Sequence, residues 1–162
     1  RFGFQTQLFF LLQRYRQQQD LRQVDMFQKL LITDYMFVKD RLFASLNLGD
    51  KEMQLYDTVA SLLERNIIRP DIVIYLQADT DVLMKNIEKR GRDMEKNVTW
   101  EYIDALNQVY TEYFFRYQDT PLVIINTNNI DFVANENDLK EVIDYIRQPV
   151  SGTKFFNPVT EF

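Results

Sequence analysis

The chain contains no cysteine and no histidine. Disulfides, thiolate chemistry and the commonest zinc sites are excluded, as is any catalytic triad that uses histidine as its base. An enzyme built from these residues must work through carboxylates, lysines, arginines or a hard metal ion. The lack of cysteine fits a cytoplasmic protein. Only four glycines and four prolines occur among 162 residues, which implies short loops and long elements. No apolar run approaches the ~20 residues of a membrane span. The opening Arg1-Phe2-Gly3-Phe4-Gln5 does not read as a secretory leader. A net charge of -5 argues against a nucleic-acid polymer as partner.

What is present is a globular composition, 46% hydrophobic and 27% charged, enough for one ordinary domain. Leu8, Leu11, Leu12 and Tyr15 follow the spacing of an apolar helical stripe, with Gln7, Phe10 and Arg14 on a second face. The polar stretch Gln17 to Gln23 ends this helix or carries it into solvent. Lys29-Leu30-Leu31-Ile32-Thr33-Asp34 reads as a buried strand stopping at an acid. A helix is expected from about Met36 to Leu46, and another capped by Asp50, with Met53, Tyr56, Ala60 and Leu63 facing a core.

Asp71 to Leu76, preceded by Pro70, is the clearest strand, continuous and β-branched. Asp79 then caps a helix that runs into Arg90-Gly91-Arg92-Asp93. Thr99 caps an aromatic-rich helix to about Tyr117. Pro121 to Asn126 reads as a third buried strand, and Asp138 caps a last helix. The stretch from Pro149 onward has no clear periodicity. Apolar strands alternating with helices indicate a parallel sheet covered on both faces.

Ligands of such sheets sit beyond the carboxyl ends of the strands. Three polar segments fall there: Thr33-Asp34-Tyr35, Gln77-Ala78-Asp79 and Asn126-Thr127-Asn128-Asn129. Asp34 is either a carboxylate for magnesium near phosphates or a helix cap. Arg90 and Arg92, with Lys85 and Lys89, either point at a phosphate from a loop or form a solvated helix end. Glu95 could accept a hydrogen bond from a sugar hydroxyl or lie on the surface. Gln7, beside Phe10, could offer a donor and an acceptor to a base edge or be solvated. Asn126 to Phe132 either wraps an adenine or is an ordinary turn.

Taken together, these segments resemble the deoxynucleoside kinase family, its bacterial deoxyadenosine/deoxyguanosine kinase branch in particular. The resemblance runs from Phe4 to about Ile146. It rests most on Phe4-Gln5-Thr6-Gln7-Leu8-Phe9-Phe10-Leu11, Asp71 to Ala78, Lys89-Arg90-Gly91-Arg92-Asp93-Met94-Glu95, and Pro121 to Phe132. It implies a P-loop NTPase-like three-layer α/β/α fold with a parallel sheet, with residues 4–148 as the kinase-like domain and 149–162 as a tail. It implies ATP and Mg²⁺ as cofactors, a purine deoxynucleoside as substrate, and a homodimer.

By the same resemblance, Gln7 pairs with the nucleobase, with Gln5 the runner-up. Phe10 is expected beside it in the substrate pocket. Arg90 and Arg92 are lid arginines over the ATP phosphates, and Glu95 lies near the deoxyribose 3′-hydroxyl. Asn126, Asn128, Asp131 and Phe132 belong to the loop that contacts adenine. Asp34 lies where the family has an acidic-Arg-Ser motif; no arginine follows it here, and Lys39 is the expected substitute. The family's G-x-x-x-x-G-K-[ST] loop, the first strand before it and the second strand, with its general-base glutamate, have no counterpart among these residues. In the resembled fold the phosphate-loop strand lies between the strands expected at Leu30–Thr33 and Ile72–Leu76. The expectation is therefore an incomplete kinase, inactive alone. The alternatives are a non-catalytic interaction domain derived from a kinase fold, or another P-loop kinase acting on nucleoside monophosphates.

Overall fold

The computed structural model describes residues 3–21 and 30–158. Gln23, Lys29 and the last four tail positions, for which readings were made above, lie outside these described residues. The chain forms two compact units, Arg1–Arg69 and Pro70–Phe162.

The first unit consists of three helices, α1 (Gly3–Leu21), α2 (Val38–Asn47) and α3 (Asp50–Glu64). Leu11, Phe37, Ala44, Tyr56 and Ala60 are its buried core, and Phe4, Leu8, Tyr15, Met53 and Leu63 pack against it. The stripe of α1 therefore runs Phe4, Leu8, Leu11, Tyr15, and Leu12 falls outside it, 41% exposed. The polar stretch after Gln17 continues the helix to Leu21. The turn between α2 and α3 is closed by Leu48 N–H donating to Ala44 and Met53 N–H to Gly49. Gly49, extended at φ -75°, is the N-cap of α3, and Asp50 is its first helical residue rather than its cap. Arg41 and Asp57 pair across α2 and α3 at 2.6 Å.

Leu30 to Thr33 does not form the expected strand. Leu30 and Ile32 are 75% and 82% exposed, and the sheet contains no strand from this segment. An apolar run becomes a strand only when a neighbour pairs with its backbone. Among the described residues none does.

The second unit is built on a parallel sheet in the order β1 (Val73–Gln77), β2 (Leu122–Asn126), β3 (Thr153–Phe156). Between β1 and β2 run α4 (Thr80–Arg90), a 3₁₀ turn (Asp93–Glu95) and α5 (Trp100–Arg116). Between β2 and β3 lies α6 (Glu136–Ile146). Register pairs Val73 with Leu122 and Leu122 with Thr153, so alternate residues of each strand share a face. On one face Tyr75 stacks on Phe114 of α5, ring centroids 4.4 Å apart. On the other, Val123 and Ile125 bury against Val142 of α6, with Tyr145 and Phe156 stacked at 4.4 Å. Sheet and helices thus make the three layers α/β/α.

Among the strands of the described residues, only β2 is buried on both faces. β1 is not: Ile74 and Leu76, on the face opposite Val73 and Tyr75, are 38% and 46% exposed. β3 was not anticipated. Its four residues are too few for a periodic signal, and Gly152, at φ +67°, supplies the left-handed turn into it while accepting from Leu122 N–H. Thr99 caps α5 by accepting from Tyr102 N–H as expected. The cap of α6 is Asn135 rather than Asp138. Asp138 instead accepts from the Asn135 amide at 2.9 Å.

Candidate functional site

In the second unit the strand ends set the geometry. Gln77 and Asn126 are register partners at the carboxyl ends of β1 and β2. Thr127 donates to the Gln77 carbonyl from its N–H at 2.8 Å and its hydroxyl at 3.0 Å. The Asn128 side-chain oxygen accepts from Asp79 N–H at 2.7 Å, and that of Asn126 accepts from Asn128 N–H at 3.0 Å. Asp79 is the N-cap of α4, without a side-chain capping bond. Thr127 therefore holds the loop to the end of β1, the Asn128 amide oxygen ties it to the N-cap of α4, and the Asn126 amide oxygen braces the loop from within.

Further along that loop, one oxygen of Asp131 accepts from Val133 N–H at 3.2 Å and Ala134 N–H at 3.0 Å. The backbone N–H of Asp131 donates to Asp138 at 2.8 Å. Lys89 of α4 lies 3.6 Å from the Asp131 carboxylate. The N–H of Ala134 foremost, with that of Val133 and the nearby Lys89 charge, favours the ionised carboxyl and lowers its pKa. Phe132 is half-buried beside it.

Arg90 ends α4, Gly91 closes it in the left-handed region at φ +63°, and Arg92 precedes the 3₁₀ turn. A left-handed cap favours glycine because a Cβ is strained there. Arg90 grips Glu95 with two hydrogen bonds, 3.0 Å from Nε and 2.7 Å from Nη2, and Arg92 Nη1 lies 4.0 Å from the same carboxylate. The structure thus brings together Arg90, Arg92 and Glu95, and separately ties the loop that carries Asn126 and Asn128 to the end of β1 and the N-cap of α4.

In the first unit Gln7, Phe10 and Arg14 share one face of α1 by their spacing. Gln7 is half-buried and Phe10 exposed; Gln5, two residues earlier, is exposed. The Arg14 guanidinium lies 4.4 Å from the centre of the Tyr35 ring. The Tyr35 hydroxyl donates to Asp40 at 2.6 Å. Burial raises the Asp40 carboxyl above its ordinary value, with Tyr35, Arg14 and Lys39 opposing. Burial, then the Asp40 hydrogen bond, also raises the Tyr35 phenol, so the phenol keeps its proton. Lys39 is half-buried in the first turn of α2.

Asp34 is exposed in a bend, and Phe37 rather than Asp34 stands at the N-cap of α2. No strand ends at Asp34 among the described residues, so Asp34 does not stand at the carboxyl end of a sheet strand as expected. No group of three or more acidic side chains among the described residues could enclose a metal.

Sequence reasoning named Tyr35 only within the polar segment Thr33-Asp34-Tyr35, and missed Asp40 and the network in which Thr80 donates to Asp104 at 2.8 Å and Asn107 to the Ala78 carbonyl at 3.0 Å. The available signal was Asp40 itself, a charge between Met36, Phe37 and Val38 on one side and Leu42 and Phe43 on the other, within the helix expected from Met36 to Leu46.

The parallel sheet, its two helical layers and the loops at its carboxyl end define a P-loop NTPase-like fold. The structure superposes on deoxyadenosine kinase from M. mycoides with bound dATP at a TM-score of 0.74 and 23% identity, over 91% of this chain and 75% of that one. With bound dCTP the same kinase gives a TM-score of 0.71 at 24% identity, over 90% and 73%. The deoxynucleoside kinase family model matches residues 1–151, and the chain belongs to that family. It is 29% identical over 153 residues to a deoxyguanosine kinase of Bacillus subtilis (strain 168), covering 90% of this chain and 73% of the relative. A deoxyadenosine kinase of Lactobacillus acidophilus is also 29% identical over 153 residues, covering 85% and 71%. No helix among the described residues is long and apolar enough to cross a membrane.

Proposed function

We propose that these residues serve a kinase that transfers the γ-phosphoryl group of ATP to the 5′-hydroxyl of a purine deoxynucleoside. The 5′-oxygen bonds to the γ-phosphorus as the bond to the leaving ADP oxygen breaks, and the hydroxyl proton passes to the general-base glutamate that the resemblance places outside these residues. Such reactions depend on positioning and electrostatics, which suits a chain without histidine or cysteine. The observation that carries the reading is the Arg90-Gly91-Arg92 turn, two guanidinium groups gathered at the end of α4 around one carboxylate.

In this reading Arg90 and Arg92 stabilise charge on the transferring phosphoryl group, and Lys39 assists in place of the family arginine. Gln7 hydrogen-bonds the base, Phe10 lines its pocket, and Glu95 accepts from the sugar 3′-hydroxyl. Asn126, Asn128, Asp131 and Phe132 shape the loop that holds adenine. The side-chain oxygens of Asn126, Asn128 and Asp131, committed to backbone N–H groups, support a role in fixing the loop's backbone for that contact. Asp34 is an exposed hard-oxygen donor, and a magnesium ion needs only one or two carboxylates besides the ATP phosphates. When bound, that ion neutralises phosphate charge.

The kinase-like portion spans residues 4–148. Because no G-x-x-x-x-G-K-[ST] occurs in them, these residues alone are inactive in this reading. The composition without cysteine supports a cytoplasmic setting. The exposed rings of α5, Phe115 at 82% and Trp100 at 45%, support a homodimer. The test is phosphorylation of deoxyadenosine and deoxyguanosine, against deoxycytidine and thymidine, by the protein expressed from its full reading frame. Faster turnover of the purines supports the proposal. A preference for pyrimidines removes the purine assignment.

A further inference from the structure

Of the two arginines read as the lid, Arg90 is already paired, and Arg92 lies at the edge of ion-pair range of the same carboxylate. One Glu95 oxygen lies 2.7 Å from Arg90 Nη2 and 4.0 Å from Arg92 Nη1, and the other accepts from Arg90 Nε at 3.0 Å. A guanidinium fork that takes two carboxylate oxygens in this way takes two phosphate oxygens with the same geometry. The Glu95 side chain is the more enclosed partner, 22% exposed against 48% for Arg90 and 62% for Arg92. The neighbouring cations are also engaged: Lys96 pairs with Asp93 at 2.6 Å and Lys89 with Asp131 at 3.6 Å. The carboxylate thus engages the two guanidinium groups that the lid reading gives to a polyphosphate.

We propose that Glu95 is the internal counter-ion of the lid, a positioning residue that holds Arg90 and Arg92 together until a polyphosphate displaces it. The inference rests on the lid and sugar-contact roles proposed above. It adds a coupling between them. A sugar hydroxyl that engages Glu95 weakens its hold on the arginines, so bound nucleoside raises the affinity for the donor's phosphates, and the reverse follows by linkage.

The test measures binding of inorganic tripolyphosphate at fixed ionic strength, with the protein from its full reading frame, by calorimetry. Glu95→Gln keeps the shape but removes the charge, and is expected to tighten tripolyphosphate about fivefold, the scale of one partly exposed ion pair. Deoxyguanosine should tighten the wild type by a similar factor and leave Glu95→Gln unchanged. Arg90→Lys keeps the charge without the fork and should shrink the gain that Glu95→Gln brings. This second pair gives an independent reading should the single variant fold poorly.

Equal tripolyphosphate affinity in wild type and Glu95→Gln overturns the inference, as does an absence of binding in both. A protein that shows the gain yet phosphorylates no nucleoside keeps the counter-ion and rejects the proposed activity. A working nucleoside kinase in which Glu95→Gln changes nothing does the reverse.

Discussion

The hydroxyl of Tyr35 donates a 2.6 Å hydrogen bond to Asp40, and the Arg14 guanidinium lies 4.4 Å from the centre of the same tyrosine ring. Burial is the largest influence on Asp40 and raises its pKa. The folded protein therefore holds that proton to higher pH than the unfolded chain. The stabilisation linked to it is complete below the ordinary aspartate value and is lost as pH rises through the raised one. Asp40→Asn has no such proton. Urea unfolding of both proteins across this window should show wild type losing ground to Asp40→Asn as pH increases. A difference that is flat, or that grows in favour of wild type, would contradict the assignment.

Phe114 and Phe115 are adjacent on α5 and opposite in environment, 5% and 82% exposed. Phe114 lies against Tyr75, Tyr113 and Tyr117. Phe114→Ala should cost about 3–5 kcal/mol of stability through the cavity it leaves. Phe115→Ala should change monomer stability by no more than about 0.5 kcal/mol, as surface substitutions do. Under the proposed homodimer it should weaken self-association instead. Sedimentation equilibrium reads this directly, and a wild-type monomer at micromolar concentration would remove the dimer.

Arg92→Ala should lower kcat by about 10²-fold or more, since the charge it meets develops during transfer. Binding of the nucleoside should change much less. Steady-state kinetics with the nucleoside varied separates the two effects. Full kcat in this variant means that Arg92 is not a lid arginine.

Gln7→Ala should raise KM for the nucleoside and leave that for ATP nearly unchanged. The lost contacts are hydrogen bonds to a base, each worth about 0.5–1.5 kcal/mol. Gln7 is half-buried and Gln5 exposed, which favours Gln7. A larger effect at Gln5 would move the register of α1 by two residues.

The elements legible in the sequence were those whose pattern is local. β1, β2 and α5 follow from apolar runs, Pro70 and the Thr99 cap, and the Arg90-Gly91-Arg92 turn from a glycine just past a helix end. What was not legible depends on distant partners. Leu30 to Thr33 has the composition of a strand, but a strand is a pairing, and no described neighbour supplies one. Thr153 to Phe156 has β-favouring residues but is too short to signal a strand, and it becomes β3 because Leu122 to Ile125 pair with it. In the site, the chemical types of Arg90, Arg92 and Glu95 could be read in advance. Their mutual pairing, and the Tyr35–Asp40 contact, arise from a turn and a helix packing that spacing does not encode.

The most direct measurement offers equal concentrations of deoxyadenosine and dAMP to the protein from its full reading frame, with ATP labelled at the γ-phosphate. The account predicts label on the 5′-oxygen of the nucleoside, with dAMP itself not phosphorylated. Label passing to dAMP rather than to deoxyadenosine, or to neither acceptor, contradicts it.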